Sequence, residues 1–477
     1  MSEPVAFQKC IMPACGATYS IGEVLTSCKR CGGLLDVVYD WGRVNVPKDL
    51  RFFSSRILVG NYSNIADVSG VWRFRELLPF ISYHDPYLYL KEIVSLDGME
   101  GWTKPVHVSS AADFTGVNRE SFYVQFEGQN PTGSFKDNGM TAAFTHAQMV
   151  GARIAACAST GNTSASFAAY AANSGFLEKA FIFIGAGRIA YGKLSQSLEF
   201  GVKTIQIEGD FDDAMSRVRE LGRDKGVYLV NSVNPFRLEG QKTIMYRILE
   251  GLNWRVPDWV VCPGGNLGNT SAFGKAFEEL FELGLINKKP RLVVVNADGA
   301  DTLYRIYNEK KIRWNKGKVD LKIIEDFYAE MEKEGRKAHT IASAIEINKP
   351  VNLLKALRAL EWTDGVVEKV LDQEILDAKA VIGKSGMFGC EPASATSVAG
   401  VKKLVEKGVI KTKDIVVAVL TGSQLKDPDA IVGYHAEGLN SALDEKFKSY
   451  GIISRRFQNK PVRVKNDLNE IIAVMGI

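Results

Sequence analysis

An α/β fold with two domains on mostly parallel sheets, preceded by a small cysteine-bearing segment, is what the sequence predicts. Three observations carry this. From about residue 120 the chain repeats one unit: a short apolar strand, a turn bearing Gly or Asn, then an amphipathic helix. The strands are near-continuous hydrophobic runs, as expected where both faces of a sheet are covered. The 477 residues, 46% hydrophobic and 24% charged, suffice for two large domains and something smaller.

The first element is a cysteine cluster. Cys10-x4-Cys15 is followed after twelve residues by Cys28-x2-Cys31, and each pair ends in a turn, Cys15-Gly16 and Cys31-Gly32-Gly33. Two such knuckles on a hairpin supply four thiolates for a tetrahedral, structural zinc. A metal-free ribbon held by packing is the competing reading. Cys157, Cys262 and Cys390 lie in apolar or Gly-rich surroundings and read as buried free thiols. Residues 36–40 form a last ribbon strand before a linker. Trp72, Phe74, Leu77 and Leu78 mark an entry helix.

The repeating body follows. Strands are predicted at 121–127, 153–159, 180–185, 202–208, 227–231, 258–262, 291–296 and 415–420. Helices are predicted over 141–150, 163–173, 194–200, 212–223, 238–249, 269–282 and 391–406. Residues 309–337 are highly charged and read as a solvated helix or surface insertion. From about 441 a terminal strand and helix are expected.

Ligands in such folds collect at the carboxyl ends of strands, and those ends hold the unusual loops. Lys136 stands where strand 121–127 gives way to a helix. Free N–H groups and a partial positive charge there disfavour its protonated state. A lysine that condenses with an aldehyde must be neutral when it attacks. Ser159-Thr160-Gly161-Asn162-Thr163 brings hydroxyls, an amide and helix-start N–H groups together, which makes an anion site. Pro263-Gly264-Gly265-Asn266-Leu267-Gly268-Asn269 opens a helix with glycines that let N–H groups cradle a phosphate. It lacks the lysine of a nucleotide-hydrolysing loop, so the phosphate is held and not transferred. Thr421 ends a strand, where a plain turn residue is one reading and a hydroxyl facing a bound ring is the other. Asn231-Ser232 ends another, and Arg237 opens the next helix. A cation is badly placed for that helix dipole and well explained by an anion, with an ion pair to Glu239 as the competing reading.

Net charge is +4, from 59 basic and 55 acidic residues, which signals no nucleic-acid or membrane surface. No apolar run approaches the roughly 18–20 residues of a bilayer span, and residues 1–8 carry no charged-then-apolar signal pattern. A cytoplasmic protein is expected.

Taken together these stretches resemble the pyridoxal-phosphate enzymes of the tryptophan-synthase-β-like group, fold type II, and within it the threonine synthases. The resemblance runs from the ribbon and Ser69–Pro79 through 133–140, 158–163, 231–243 and 263–269 to Glu391-Pro392-Ala393-Ser394 and 421–428. It implies a ribbon over 1–44, a large domain over 45–125 and 232–477, and a small mobile domain over 126–231. That small domain carries Lys136 and the Asn162 loop. It implies that Lys136 bonds pyridoxal 5'-phosphate, that Gly264, Gly265, Asn266, Leu267, Gly268 and Asn269 hold its phosphate, that Asn162 meets the ring hydroxyl and that Thr421 meets the ring nitrogen. Ser159, Thr160, Thr163, Asn231, Ser232 and Arg237 would bind the substrate. The reaction implied is a lyase reaction. O-phospho-L-homoserine and water become L-threonine and phosphate by γ-elimination and β-addition, in a homodimer.

Two departures bear on the substrate. The family usually writes Ser-Ala-Ile-Arg-Ile-Gly-Asn-Pro where this chain has Ser343-Ala344-Ile345-Glu346-Ile347-Asn348-Lys349-Pro350, and Thr-Gly-His/Asn-Gly-Leu-Lys where it has Thr421-Gly422-Ser423-Gln424-Leu425-Lys426. The rivals are a related enzyme joining O-phosphoserine to sulfite or sulfide, then a serine or threonine dehydratase. Outside enzymes, the rival is a zinc-ribbon binding protein with the βα body as scaffold.

Overall fold

The computed structural model describes residues 5–59, 64–80, 92–185, 191–209, 211–438 and 440–477. The strands among them are β1 (Ala6–Cys10), β2 (Thr18–Ser20), β3 (Leu35–Tyr39), β4 (Pro105–His107), β5 (Phe122–Phe126), β6 (Ile154–Ala158), β7 (Lys179–Gly185), β8 (Lys203–Ile207), β9 (Tyr228–Leu229), β10 (Trp259–Pro263), β11 (Arg291–Ala297), β12 (Val366–Val370) and β13 (Val416–Leu420). They form a ribbon sheet β2-β1-β3, a six-stranded sheet β12-β11-β10-β13-β5-β4 and a four-stranded sheet β8-β7-β6-β9. The ribbon is antiparallel. The two larger sheets are parallel except where edge strand β4 meets β5. The expected α/β architecture is therefore present.

Strand order decides where the loops meet. β13 lies between β10 and β5, with Leu420 opposite Phe126 and Val416 opposite Trp259. The carboxyl ends of β5, β13 and β10 thus share one edge, and they lead to Lys136, Thr421 and the 263–269 loop. In the four-stranded sheet β6 pairs with β9, which brings the Ser159 and Asn231 ends together.

Two glycines fix how two of the helices touch. Helix Lys136–Met149 crosses helix Pro235–Gly251 at Gly139 and Gly240. A Cβ on Gly240 would stand 2.0 Å from the Asn138 carbonyl oxygen, and one on Gly139 would stand 2.7 Å from that of Arg237. The crossing exists because neither position has a side chain, and it sets Lys136 beside Arg237.

The ribbon is tied to the site's helices by buried charge. Asp36 on β3 pairs with Lys355 at 3.0 Å and with Arg358. Burial alone would raise the Asp36 carboxyl, but these two cations override it and hold the group far below its usual range. Lys355 also donates to Leu35 O at 2.7 Å, and Lys275 donates to Val37 O. Glu239 pairs with Lys242 at 2.6 Å and with Lys275. Its carboxylate is not available to Arg237.

Several segments differ from expectation. The run Trp72–Leu77 is a kinked 3-10 turn, not a regular entry helix, with Phe74 at φ −100°, ψ 25°. Gly70 ahead of it packs on Gly101 so tightly that a Cβ would lie 1.9 Å from the Gly101 oxygen. The charged stretch holds helix Leu321–Lys333, whose Ile324, Phe327 and Met331 are buried against the core while its acidic residues face solvent. After residue 441 the chain forms two helices, Ser441–Ser449 and Leu468–Met475, with no strand among the described residues. Strand β12 was not expected because Val366-Val367-Glu368-Lys369-Val370 carries the charges of a sheet edge. No described helix is long and apolar enough to cross a membrane.

His146 joins the ribbon to the Lys136 helix. Its Nε2–H donates to Ile21 O at 2.6 Å, its Nδ1 accepts from Tyr228 Oη at 2.7 Å, and its ring stacks on Phe236. Burial pulls this imidazole down to about 4. As pH falls the unfolded chain takes up the proton first, so the stability due to neutral His146 is complete above pH 6.5 and is lost towards pH 4. The loss is roughly 3 kcal/mol. Urea unfolding across that window should have a smaller pH slope in His146→Gln than in the wild type.

Candidate active site

A cleft of about 350 Å³ opens where the strand ends converge. Lys136 begins helix Lys136–Met149, as the sequence predicts, and its side chain lines the cleft. Among the described residues no carboxylate forms an ion pair with it. Burial pulls the amine well below its ordinary range, the positive charge of Arg237 adds to this, and Glu391 opposes it. The site therefore disfavours the protonated amine, which is the direction a nucleophile needs.

One wall is the 263–269 loop, which ends β10 and starts helix Gly268–Glu282. Leu267 sits in the left-handed region at φ 62°, which turns the neighbouring N–H groups to one side. Among the described residues, the N–H groups of Gly265, Asn266, Leu267 and Gly268 have no acceptor within the chain. A Cβ on Gly265 would stand 3.2 Å from the Ile345 Cα. This is a cradle for a phosphate. Gly264 is placed differently: it does not line the cleft, and its N–H donates to Val295 O at 2.7 Å. Its part is to seat the loop on β11, since a Cβ would stand 2.7 Å from Asn296 Nδ2.

The opposite wall comes from the β6 and β9 ends. Ser159 Oγ accepts the Gly161 N–H at 3.1 Å and closes the turn before helix Asn162–Asn173. Thr160 and Thr163 line the cleft beside it, as does Ser232. Asn231 also lines it, but its amide pairs with both backbone groups of Ala158, at 2.9 and 2.8 Å. It therefore pins the two strand ends together. Asn234 caps helix Pro235–Gly251 and Pro235 occupies its first position, which presents Arg237 from the first turn. Arg237 is 1% exposed. It donates to Val230 O at 2.8 Å and to Thr163 Oγ1 at 3.3 Å, its Nε has no partner, and no described carboxylate pairs with it. Burial lowers it to about 10. A buried arginine without a counter-ion is costly unless an anion joins it.

Thr421, at the end of β13, lines the floor. Asn162 donates its Nδ2–H to Glu391 Oε1 at 2.8 Å, and its Oδ1 is buried without a partner. Glu391, Gln241, Phe135 and Ala393 also line the cleft, together with residues 343–347. Residues 343–347 belong to the segment whose departure from the family pattern bears on the substrate, whereas sequence reasoning gave Glu391, Gln241, Phe135 and Ala393 no role. The signal for Glu391 was present, an acidic residue just ahead of Pro392 and a helix start. Its contact with Asn162 joins residues 229 positions apart and needed the fold.

Lys136, the cradle and the Thr421 hydroxyl fit pyridoxal phosphate: an aldehyde-reactive amine, a seat for the phosphate and a polar group for the ring. Such a cleft defines a pyridoxal-phosphate-dependent enzyme. Residues 96–422 match the family model described as pyridoxal-phosphate dependent enzyme. The chain is 40% identical to the threonine synthase of Methanocaldococcus jannaschii, covering 92% of this chain and 97% of that one. It is 38% identical to that of Methanosarcina acetivorans, covering 89% and 93%. The fold is similar to the crystal structure of threonine synthase from Escherichia coli, with TM-score 0.62 and 16% identity over 98% of this chain and 99% of that one. The chain belongs to the threonine synthase family of pyridoxal-phosphate-dependent enzymes.

The ribbon cysteines also converge. The sulfurs of Cys10, Cys15, Cys28 and Cys31 all lie within 4.8 Å of one another. Cys10 and Cys31 are 3.5 Å apart, Cys15 and Cys28 3.7 Å. A tetrahedral ZnS4 centre sets its sulfurs about 3.8 Å apart, so the four thiols fit a structural zinc.

Two outcomes are expected. Borohydride treatment of the protein with pyridoxal phosphate should fix one cofactor mass on the Lys136 peptide, and Lys136→Ala should abolish that adduct while retaining non-covalent binding. Metal analysis should find about one zinc per chain, falling to background when Cys28 and Cys31 are both replaced by serine.

Proposed function

We infer that the chain converts O-phospho-L-homoserine and water into L-threonine and phosphate. One observation carries this beyond a general cofactor enzyme. The cleft has two anion seats, the Gly265–Gly268 cradle and the buried Arg237, which pairs with no described carboxylate, and Lys136 lines the same space. One seat suits the cofactor phosphate and the other suits a phosphorylated substrate. The similarity to threonine synthases along most of the chain supports the particular substrate.

Pyridoxal phosphate supplies an aldehyde for the substrate amine and a ring that draws electrons from the substrate Cα. Lys136 Nζ, whose protonated form is disfavoured by burial, moves protons at Cα and Cβ. Arg237 and Thr163, with Ser159, Thr160 and Ser232, hold the substrate's phosphate. The fixed charge of Arg237 is aimed at the oxygen that becomes negative as the bond to Cγ breaks. Thr421 would meet the ring nitrogen as a neutral hydroxyl, which would leave the ring a weaker electron sink and suit elimination and addition more than transamination. Movement of the 126–231 body over the cleft would keep water out until the β-addition step. A cytoplasmic homodimer completes the reading, supported by the grouped free thiols and by resemblance to fold-type-II enzymes.

Incubation with O-phosphohomoserine should release threonine and phosphate in equal amounts. Phosphate without threonine, or turnover of O-phosphoserine with sulfite in its place, would overturn the assignment. Arg237→Gln should lower kcat/KM for O-phosphohomoserine about 100-fold or more, while the borohydride adduct on Lys136 persists.

A further inference from the structure

Thr421 lines the cleft, and directly behind it lies Ser394, a fully buried residue that does not. Ser394 Oγ accepts the Gly422 N–H at 2.9 Å and lies 2.9 Å from Thr421 Oγ1. One of these two hydroxyls must donate to the other. If Thr421 donated, the Ser394 proton would have only the Gly422 carbonyl, at 3.5 Å, and that oxygen already accepts the Glu391 N–H at 3.1 Å. A 3.5 Å contact to an occupied acceptor is weak beside a 2.9 Å hydroxyl pair. The Ser394 proton therefore goes to Thr421 Oγ1, and the Thr421 proton is left to point into the cleft.

We propose that Ser394 is a positioning residue that fixes Thr421 as a hydrogen-bond donor to the ring nitrogen of the bound cofactor. The proposal rests on the cofactor reading above and deepens it. The chain of donors runs from the Gly422 N–H through the Ser394 and Thr421 hydroxyls to the cleft, each bond strengthening the next. A donor at that point matches an unprotonated pyridine nitrogen and opposes a pyridinium, which needs an acceptor. Thr421 alone would be indifferent, because a hydroxyl can donate or accept. By donating to Thr421, Ser394 takes up one of its two lone pairs and leaves its proton facing the cleft, which biases Thr421 towards donating. A merely structural Ser394 would alter stability and leave the protonation of the ring unchanged.

The test uses holoenzyme loaded with pyridoxal phosphate labelled with 15N in the ring. In the wild type the ring resonance should stay at the unprotonated position from pH 9 to pH 6. In Ser394→Ala, Thr421 is free to accept, so the resonance should move towards the protonated position as pH falls. The dissociation constant for pyridoxal phosphate should also rise about tenfold. Ser394→Cys, with a weak donor of similar size, should fall between the two, and it carries the test if the alanine variant does not fold. Identical 15N titrations in wild type and variants would overturn the relay while leaving the cofactor reading intact. A wild-type protein that takes up no pyridoxal phosphate would overturn that reading and the relay with it.

Discussion

A short antiparallel pairing between two loops is the contact on which the site depends. The Phe135 N–H donates to Thr421 O at 2.9 Å, and the Ser423 N–H donates to Gly133 O at 2.9 Å, so that Ser134 bridges Gly422. This joins the segment just before Lys136 to the segment just after β13. Lys136 and Thr421, which line the same cleft, are thereby held in one backbone frame. Gly133 makes it possible with a φ of 80°, a conformation that side-chain-bearing residues rarely adopt. A few backbone hydrogen bonds are individually modest. They act here on loops already anchored by the parallel sheet, so little conformational freedom remains to be lost.

Charge is distributed to the same end. Glu239, Lys242, Lys275 and Glu279 satisfy one another beneath helix Pro235–Gly251, and Asp36 meets Lys355 and Arg358 where the ribbon docks. These buried ions are paired, as desolvation requires. Arg237 lies on the same helix, one turn from that network, yet faces the other way and has no such partner. The contrast supports the proposed phosphate seat, because the fold has acidic partners close by and directs them elsewhere. The ribbon, far from the cleft in sequence, bears on the site through this network.

Much of this was legible in the chain itself. Apolar strand runs and small-residue helices announced the parallel sheets, because burial on both faces leaves no room for alternation. The glycine loop and the Ser159–Thr163 run announced their turns and helix starts, because free N–H groups are a local property. Less local features were misread. The 3-10 turn at Trp72 follows a glycine-to-glycine contact between Gly70 and Gly101, which joins residues 31 positions apart. The charged 309–337 stretch hides three core residues at helical spacing. Gly264 reads as part of the phosphate cradle, but β11 claims its N–H.

The sequence by itself determined which residue types stand at each strand end, and so the kind of chemistry available: an amine, a phosphate cradle, hydroxyls and an arginine. Only the tertiary structure decided how they act together. Strand order places the ends of β5, β10 and β13 on one edge, and the Gly139–Gly240 crossing brings Lys136 to Arg237. Contacts between residues far apart in the chain direct Asn162 through Glu391 and Thr421 through Ser394. The physical reason is that helix starts and turn conformations follow from neighbouring residues. The direction of a hydroxyl proton, or the absence of a counter-ion, depends on what the completed fold has brought alongside.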